Sequence, residues 1–225
     1  MSKMPVRLRS ALLALIATTA ALPSAAIAQP APSVLGRTMG DWAASAFQFF
    51  AAQPYATLSA CGAKARTGPV WFLAGDWRGW SPSGPYSAQF NCSVPREAHV
   101  FFSIATSFWI QTPLDDPSYT EMDWRSFAHS GLPYYWPELY IEVELDGRLI
   151  TFDPSMPIVE SQTPVFKATW NADNMFGLDP VTYLNGNPIV NNGYFVMLTP
   201  LSPGEHILKI RPKTGIEWTY NLTVR

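Results

Sequence analysis

The end of the chain alternates strictly between apolar and polar side chains over residues 218–225. Successive side chains of a β-strand point to opposite faces, so this pattern predicts a strand with one buried face. The apolar positions are Trp218, Tyr220, Leu222 and Val224.

A second alternating run, residues 139–145, leads into the most specific turn signal of the sequence. It stops at Asp146-Gly147 and resumes at 148–150. Asp-Gly is favoured in two-residue type I′ turns because both positions need a positive φ, so we expect a β-hairpin here. Shorter apolar runs, bounded by clusters of Gly, Pro, Asn and Asp, predict further strands at 70–74, 98–104, 164–170, 193–199 and 205–211.

One segment near the N-terminus has helical character. Asp41 is a suitable N-cap for a short helix, and Pro54 marks its end. Seven or eight strands with little helix between them favour a single all-β domain over residues 39–225, either an antiparallel β-sandwich or a jelly roll. The apolar face of the predicted helix carries Trp42, Ala46, Phe49 and Phe50.

Residues 1–28 have the order of a secretory signal peptide. Three basic residues precede the uncharged apolar run 11–22, and Ala26-Ile27-Ala28 offers small residues for cleavage. A retained anchor is the alternative, but the apolar run is short for a bilayer. Residues 29–38 predict a flexible lead-in. We therefore expect an exported protein, periplasmic or extracellular, with no membrane span after cleavage.

Cysteine content, charge and histidine spacing indicate the compartment and argue against some classes of partner. Cys61 and Cys92 are the two cysteines, and in an oxidising compartment a lone pair predicts a disulfide. The formal net charge is −2 and no basic run is present, so we expect no nucleic-acid partner. No histidine pair has zinc or copper spacing, and we expect no metal and no cofactor. The oligomeric state is left open.

The long connection 111–138 holds the candidate catalytic residues. In an enzyme, one acid and His129 would share proton transfer while Arg125 held an anionic group. The same acids are also hard oxygen ligands for calcium or simply a solvated surface, and all three interpretations stay open. His99 and His206, in contrast, are expected on apolar strand faces. The charged residues of the connection are Asp115, Asp116, Glu121, Asp123, Arg125 and His129.

Aromatic residues give the leading functional hypothesis, since nine tryptophans are present and several lie outside the predicted strands. Such rings stack on sugars, or alternatively close the ends of a sandwich. A non-catalytic binding module for a glycan or another surface polymer is favoured. An enzyme acting on an extracellular polymer and an envelope structural protein are the alternatives. The candidate ligand-binding residues are Trp77, Trp80 and Tyr86 in a Gly/Pro/Ser-rich loop, and Tyr134, Tyr135 and Trp136 before the strand at 139.

Four segments occur in the same order along the chain as in a group of other proteins that they resemble. They read VWFLAG at 70–75, CSVP at 92–95, FF at 101–102 and PLSPGEH at 200–206. Over about residues 60–225 the chain resembles a family of exported bacterial proteins of unknown function. Arg96, Glu97 and Ser103 depart from the family pattern. The resemblance implies an exported domain and assigns no site residues.

Overall fold

The computed structural model describes most of the chain from Ser33 to its end. The predicted signal peptide, residues 1–28, lies outside the described residues. Those residues are 33–65, 68–75, 86–132, 141–150, 158–212 and 216–225.

Within the described residues the fold is mostly β-sheet, as the alternating runs predicted. Two α-helices are present, α1 (Met39–Ala51) and α2 (Glu121–Ser130). The strands are β1 (Ser33–Val34), β2 (Arg37–Thr38), β3 (Ala63–Lys64), β4 (Val70–Phe72), β5 (Tyr86–Val94), β6 (His99–Ile110), β7 (Ile141–Leu145), β8 (Arg148–Ile150), β9 (Ile158–Gln162), β10 (Ile189–Leu198), β11 (Gly204–Pro212) and β12 (Ile216–Val224).

The larger strands form two five-stranded sheets. Sheet I has the order β3-β4-β6-β10-β9, and sheet II has the order β5-β12-β11-β7-β8. Most neighbours are antiparallel, but β4 pairs with β6 and β5 pairs with β12 in parallel. The sheets are therefore mixed, which differs from the purely antiparallel pairing that we expected. Parallel neighbours need long crossover connections, and β5 and β12 are far apart along the chain.

One hydrophobic cluster contains side chains from both sheets. In β12, the apolar side of the predicted alternation, Trp218, Tyr220, Leu222 and Val224, is buried in this cluster, which confirms the assignment of that face. Sheet I contributes residues such as Val100 from β6. Removal of the apolar surface of this cluster from water is the main favourable contribution to folding.

The Asp146-Gly147 turn joins β7 and β8 as predicted. Leu145 pairs with Arg148, so the loop has two residues. Asp146 has φ 51° and Gly147 has φ 78°, the two positive values that a type I′ turn requires. The hairpin prediction is confirmed.

Helix α1 begins one turn earlier than predicted. Thr38 is the N-cap, because its hydroxyl accepts a hydrogen bond from Asp41 N–H, and the Asp41 carboxylate accepts one from Thr38 N–H. This reciprocal pair is a capping box. The assignment of Asp41 as the N-cap was wrong, since Asp41 is the third helical residue. The predicted apolar face is correct, with Trp42 and Ala46 buried against sheet I.

Strand β6 contains a β-bulge where it pairs with β10. Phe195 lies opposite Ser103 and Tyr194 opposite Ala105, which leaves Ile104 without a partner. A bulge of this kind places two successive residues on one face. The strand continues beyond the predicted 98–104 and ends at residue 110.

Other segments also differ from the predicted elements. Residues 164–170 form no strand, and only Phe166 makes an isolated bridge, to Ile189. Strands β5 and β9 were not predicted. The long connection folds in part into α2, and residues 33–38 of the predicted lead-in form the β1–β2 hairpin.

Cys61 and Cys92 form the predicted disulfide, with their Cα atoms 5.3 Å apart. The Cys92 side chain is buried. A buried disulfide indicates folding in an oxidising compartment. None of the described helices has both the length and the apolar character needed to cross a membrane.

Candidate functional site

A cavity of about 200 Å³ lies between α1 and the face of sheet I that α1 covers. We call it the α1 cavity. Strands β6 and β10 form its floor, α1 forms its roof, and the turn at 55–58 and the segment 170–175 form one side. It is the larger of the two main cavities among the described residues.

The bulge in β6 determines which side chains reach the floor. Phe101 and Ser103 line the cavity before the bulge, and Thr106 and Phe108 line it afterwards. If Ile104 were instead paired within a regular two-residue period, Thr106 and Phe108 would face the opposite side of the sheet. The floor therefore depends on Ile104 being left out of the strand pairing.

Gly193 of β10 makes room for an aromatic ring in the floor. A Cβ atom at this position would lie 2.7 Å from Ala105 O and 2.9 Å from Phe195 Cζ. Both distances are shorter than van der Waals contact allows. Glycine is thus required for the Phe195 ring to lie flat against β10, next to the Phe101 ring, whose centroid is 5.7 Å away.

The roof combines small and large side chains of α1. Phe47 packs edge-on against Phe108, with ring centroids 5.1 Å apart, and Phe50 packs against Phe72 at 6.3 Å. Between these rings, alanines of α1 face the cavity. Because an alanine side chain ends at Cβ, the rings hold α1 over the sheet while the volume between them stays unfilled.

The side wall is fixed by hydrogen bonds to the helix end and to the following turn. Asn171 N–H donates to Ala51 O over 2.9 Å, and Tyr55 N–H donates to Asp173 O over 2.9 Å. The Asp173 carboxylate also accepts from Ala56 N–H at 2.8 Å. These bonds connect the wall to both ends of the α1–turn segment, so the cavity has a defined shape.

Two buried hydrogen-bonding atoms on the lining residues have no partner. They are Oδ1 of Asn191 and Nε1 of Trp170, and the two residues are 4% and 6% exposed. Leaving a buried polar group unpaired costs about 1–3 kcal/mol. None of the described lining residues carries a charge. The arrangement can therefore hold a neutral, mostly apolar molecule.

The α1 cavity was not predicted from the sequence. One feature of the sequence does point to it, the pair Asn191-Asn192 in the middle of β10. All residues of this strand are buried. Polar amides in such a strand need partners, and Asn191 lacks one at Oδ1. The cavity itself depends on how far α1 stands from the sheet, which a linear pattern does not encode.

The predicted catalytic acids have structural roles at the start of α2. Thr120 is the N-cap, and the Asp123 carboxylate completes a capping box by accepting from Thr120 N–H at 2.7 Å. These hydrogen bonds lower the pKa of Asp123. Glu121 Oε1 accepts from Arg125 at 2.6 Å, an ion pair one turn apart.

Arg125 attaches α2 to sheet I. Its Nη1 donates to Gln162 Oε1 at 2.9 Å and to Thr163 O at 3.0 Å. In return, Gln162 Nε2 donates to Arg125 O at 3.0 Å. These hydrogen bonds engage the guanidinium within the fold, and its assignment to an anionic ligand group stays a prediction.

His129, the remaining candidate of this segment, lies in a small polar cluster. Its Nδ1 is 3.7 Å from Glu160 Oε1 and 3.2 Å from Asn192 Nδ2, and its side chain is 65% exposed. Glu160 Oε2 accepts from Tyr194 Oη at 3.4 Å. Burial, together with the Glu160 charge, raises the pKa of Tyr194. This cluster brings an imidazole and a carboxylate together, which the sequence did not predict.

The two other acids of the connection hold local turns. Asp115 Oδ2 accepts from Thr112 N–H at 2.6 Å, and Asp116 Oδ1 accepts from Ser118 N–H at 2.9 Å. The latter bond lowers the pKa of Asp116. Over the described ranges, no group of three or more acidic, histidine or cysteine side chains could hold a metal ion.

His206 is close to a serine and an aspartate, but the geometry is not that of a nucleophile. Nδ1–H donates to Asp146 Oδ2 at 2.7 Å, and Nε2–H donates to Ser202 O at 2.8 Å. Because both ring nitrogens face acceptors, neither offers a lone pair to Ser202 Oγ, 3.3 Å away. The hydrogen bond to Asp146 is the main cause of the raised pKa of His206.

The predicted ligand-binding aromatics are mostly outside the described residues. This applies to Trp77, Trp80 and the run 134–136, while Tyr86 is the first residue of β5. Their assignment to a ligand site stays a prediction.

The comparisons with known proteins give no family for this chain. No protein-family model matches it, and neither a curated protein nor a solved structure is significantly similar to it.

Proposed function

We propose that this protein is a non-catalytic, extracytoplasmic binding module whose site is the α1 cavity. The observation that carries the proposal is an apolar cavity with two buried, unpartnered hydrogen-bonding atoms, Trp170 Nε1 and Asn191 Oδ1. Small-molecule sites commonly combine an apolar lining with a few polar groups that orient the ligand. A bound molecule that meets these atoms removes the cost of leaving them unpaired.

The proposal includes a β-sandwich as the framework. Sheets I and II both contribute side chains to one hydrophobic cluster, as two sheets packed face to face do. In this arrangement, sheet I buries one face against sheet II and offers the other to α1. The cavity then lies outside the main core, where a ligand enters without disturbing it.

Export is supported by two independent features. The sequence of residues 1–28 has the layout of a signal peptide, and Cys61 and Cys92 form a disulfide. We propose that the mature protein begins near residue 29 and acts in the periplasm or outside the cell.

A glycan or another surface polymer is the ligand class favoured by the sequence. That hypothesis rests on aromatics that lie mostly outside the described residues. The α1 cavity favours a different ligand, because about 200 Å³ accommodates a small compact molecule rather than a stretch of polymer.

Calorimetric titration of the oxidised protein with small apolar compounds tests the proposal. We expect toluene, indole and p-cresol to include at least one compound that binds with one-to-one stoichiometry. Ala46→Leu adds three carbons to a residue that lines the cavity and should abolish this binding. Ala172→Leu adds the same carbons at an exposed residue of the neighbouring segment and should leave binding unchanged.

Two results oppose the proposal. The first is that no compound of the panel binds the folded, oxidised protein. The second is that the Ala46→Leu and Ala172→Leu variants bind the compound with equal affinity, which would locate the binding site outside the α1 cavity.

An enzyme acting on an extracellular polymer is the second candidate function. The observation in its favour is the His129–Glu160 contact at 3.7 Å, since a carboxylate next to an exposed imidazole supports proton transfer. If this pair is catalytic, His129→Gln should abolish hydrolysis of polysaccharide or peptide substrates and leave the unfolding temperature unchanged. Ser130→Ala, at the neighbouring exposed position, is the control. Equal activity of the two variants opposes the enzymatic role.

A further inference from the structure

We infer that the ligand of the α1 cavity is a neutral, single-ring aromatic compound that carries a hydroxyl group. The inference rests on the proposed binding function and specifies its ligand class. It follows from four properties of the cavity: volume, ring content, absence of charge on the described lining residues, and the two unpartnered atoms.

The volume limits the part of the ligand that is held within the cavity to about one ring. An enclosed apolar cavity of roughly 150 Å³ is sufficient for benzene. The α1 cavity measures about 200 Å³, which leaves space for one or two substituent atoms but not for a second fused ring with its own substituents. Its aromatic walls, including Phe47, Phe101 and Phe195, offer faces and edges that pair favourably with another ring.

The lining excludes a charged ligand. No Asp, Glu, Lys, Arg or His is among the described residues that line the cavity. An ion transferred into such surroundings would lose its hydration without gaining a counter-charge, which is strongly unfavourable. Carboxylates and ammonium compounds of the same size are therefore disfavoured relative to neutral ones.

The unpartnered atoms select the polar group. Trp170 Nε1 is a donor only, and Asn191 Oδ1 is an acceptor. A hydroxyl both donates and accepts, so its chemistry matches either atom, whereas a carbonyl matches only the tryptophan. Both atoms are shielded from water. The terminal amide torsion of asparagine is broad, so a small rotation of Asn191 turns its oxygen towards a ligand.

The test compares matched ligands on the oxidised full chain by calorimetry. p-Cresol and toluene differ only in the hydroxyl, and benzoate supplies a charged ring. We expect p-cresol to bind about tenfold more tightly than toluene, the effect of one hydrogen bond, and benzoate not to bind. Asn191→Leu removes the amide at nearly the same volume, and Trp170→Phe removes the indole N–H together with part of the ring. Each should reduce the p-cresol preference, which is the ratio of the two affinities within one variant.

The outcomes separate this inference from the proposed function. Equal affinity for toluene and p-cresol, lost together in Ala46→Leu, overturns the hydroxyl assignment and leaves the binding function intact. Tighter binding of benzoate overturns the neutral class. Absence of binding by all three compounds overturns the function and the inference together. If Asn191→Leu does not fold, Trp170→Phe decides, and an unchanged preference in that variant contradicts the inference.

Discussion

His206, near the start of β11, donates a hydrogen bond to Asp146 over 2.7 Å and thereby joins β11 to the β7–β8 turn. Asp146 accepts a second hydrogen bond, from Ile207 N–H at 2.9 Å. The two residues are 60 positions apart in the chain. The contact therefore fixes the start of β11 relative to the β7–β8 turn at one end of sheet II.

This pair predicts a pH-dependent stability. Because the pKa of His206 is raised in the folded protein, its stabilisation is complete below the unfolded imidazole value of about 6.5 and is lost as pH rises through the folded value. Burial alone would raise the pKa of Asp146, but the bonds from His206 and Ile207 outweigh it and lower the pKa, so its stabilisation is lost in acid.

Urea unfolding between pH 4 and pH 9 checks this prediction. The free energy of unfolding of the parent should exceed that of His206→Gln most between about pH 4 and 6.5, and the difference should shrink above that range. Asp146→Asn keeps an oxygen for Ile207 N–H and is the matched control for the charge. The same pH profile in all three proteins would contradict the assignment.

Removal of the disulfide should destabilise the fold substantially. Cys61 and Cys92 are separated by 31 positions, and a loop of that size contributes roughly 3–4 kcal/mol in the chain-entropy treatment. For a domain of this size that corresponds to about 10 °C in unfolding temperature. Calorimetry of Cys61→Ser/Cys92→Ser against the oxidised parent measures the effect. A shift below about 2 °C would show that the bridge constrains little.

Gly193→Ala should affect both stability and the α1 cavity. The new methyl group would overlap Ala105 O and the Phe195 ring, and overpacking of this kind costs about 1–3 kcal/mol. Since the Phe195 ring must move away from β10, we also expect weaker binding of cavity ligands. Titration and thermal unfolding of the variant check both effects. Ser103→Ala, which removes one atom from the same floor, is the control, and equal behaviour of the two variants would count against the packing argument.

Thr120→Ala should weaken α2 without affecting the rest of the fold. The change removes the N-cap hydroxyl that accepts from Asp123 N–H and costs about 1 kcal/mol. Hydrogen exchange should accelerate in residues 121–130 and stay unchanged in β12. Ser118→Ala, which lies before the helix and keeps its backbone bond to Asp116, is the control. Faster exchange throughout the protein would mean that α2 unfolds only with the whole domain.

The elements that could be predicted from the sequence are those whose local residue pattern matches their position in the fold. The alternation from Trp218 onward and the Asp146-Gly147 turn are of this kind, because one buried face and two positive φ values are local requirements. Segment 164–170 shows the limit. Its alternate residues Phe166, Ala168 and Trp170 are buried as the period implies, yet almost no ladder forms. Periodicity encodes which face is buried, and strand pairing depends on distant partners.

The candidate site was harder to predict from the sequence for the same reason, because it depends on residues that are distant along the chain. His129 was identified as a residue to test, but its neighbour Glu160 lies on β9, which has too few apolar residues to stand out as a strand. The α1 cavity results from Ala46 facing a floor that only tertiary packing creates. The sequence gives the identity of the lining residues, but the volume of the cavity between them depends on tertiary packing.

The unpaired Ile104 has a consequence for how this chain tolerates changes in length. Counting every second residue from Phe101 assigns Trp109 to the side of α1, whereas Trp109 packs on Phe127 of α2, with ring centroids 4.6 Å apart. Ile104 is the surplus residue that shifts the count. A gene lacking this codon would still direct Phe108 and Trp109 to their present neighbours, but a deletion nearer the end of β6 would exchange them.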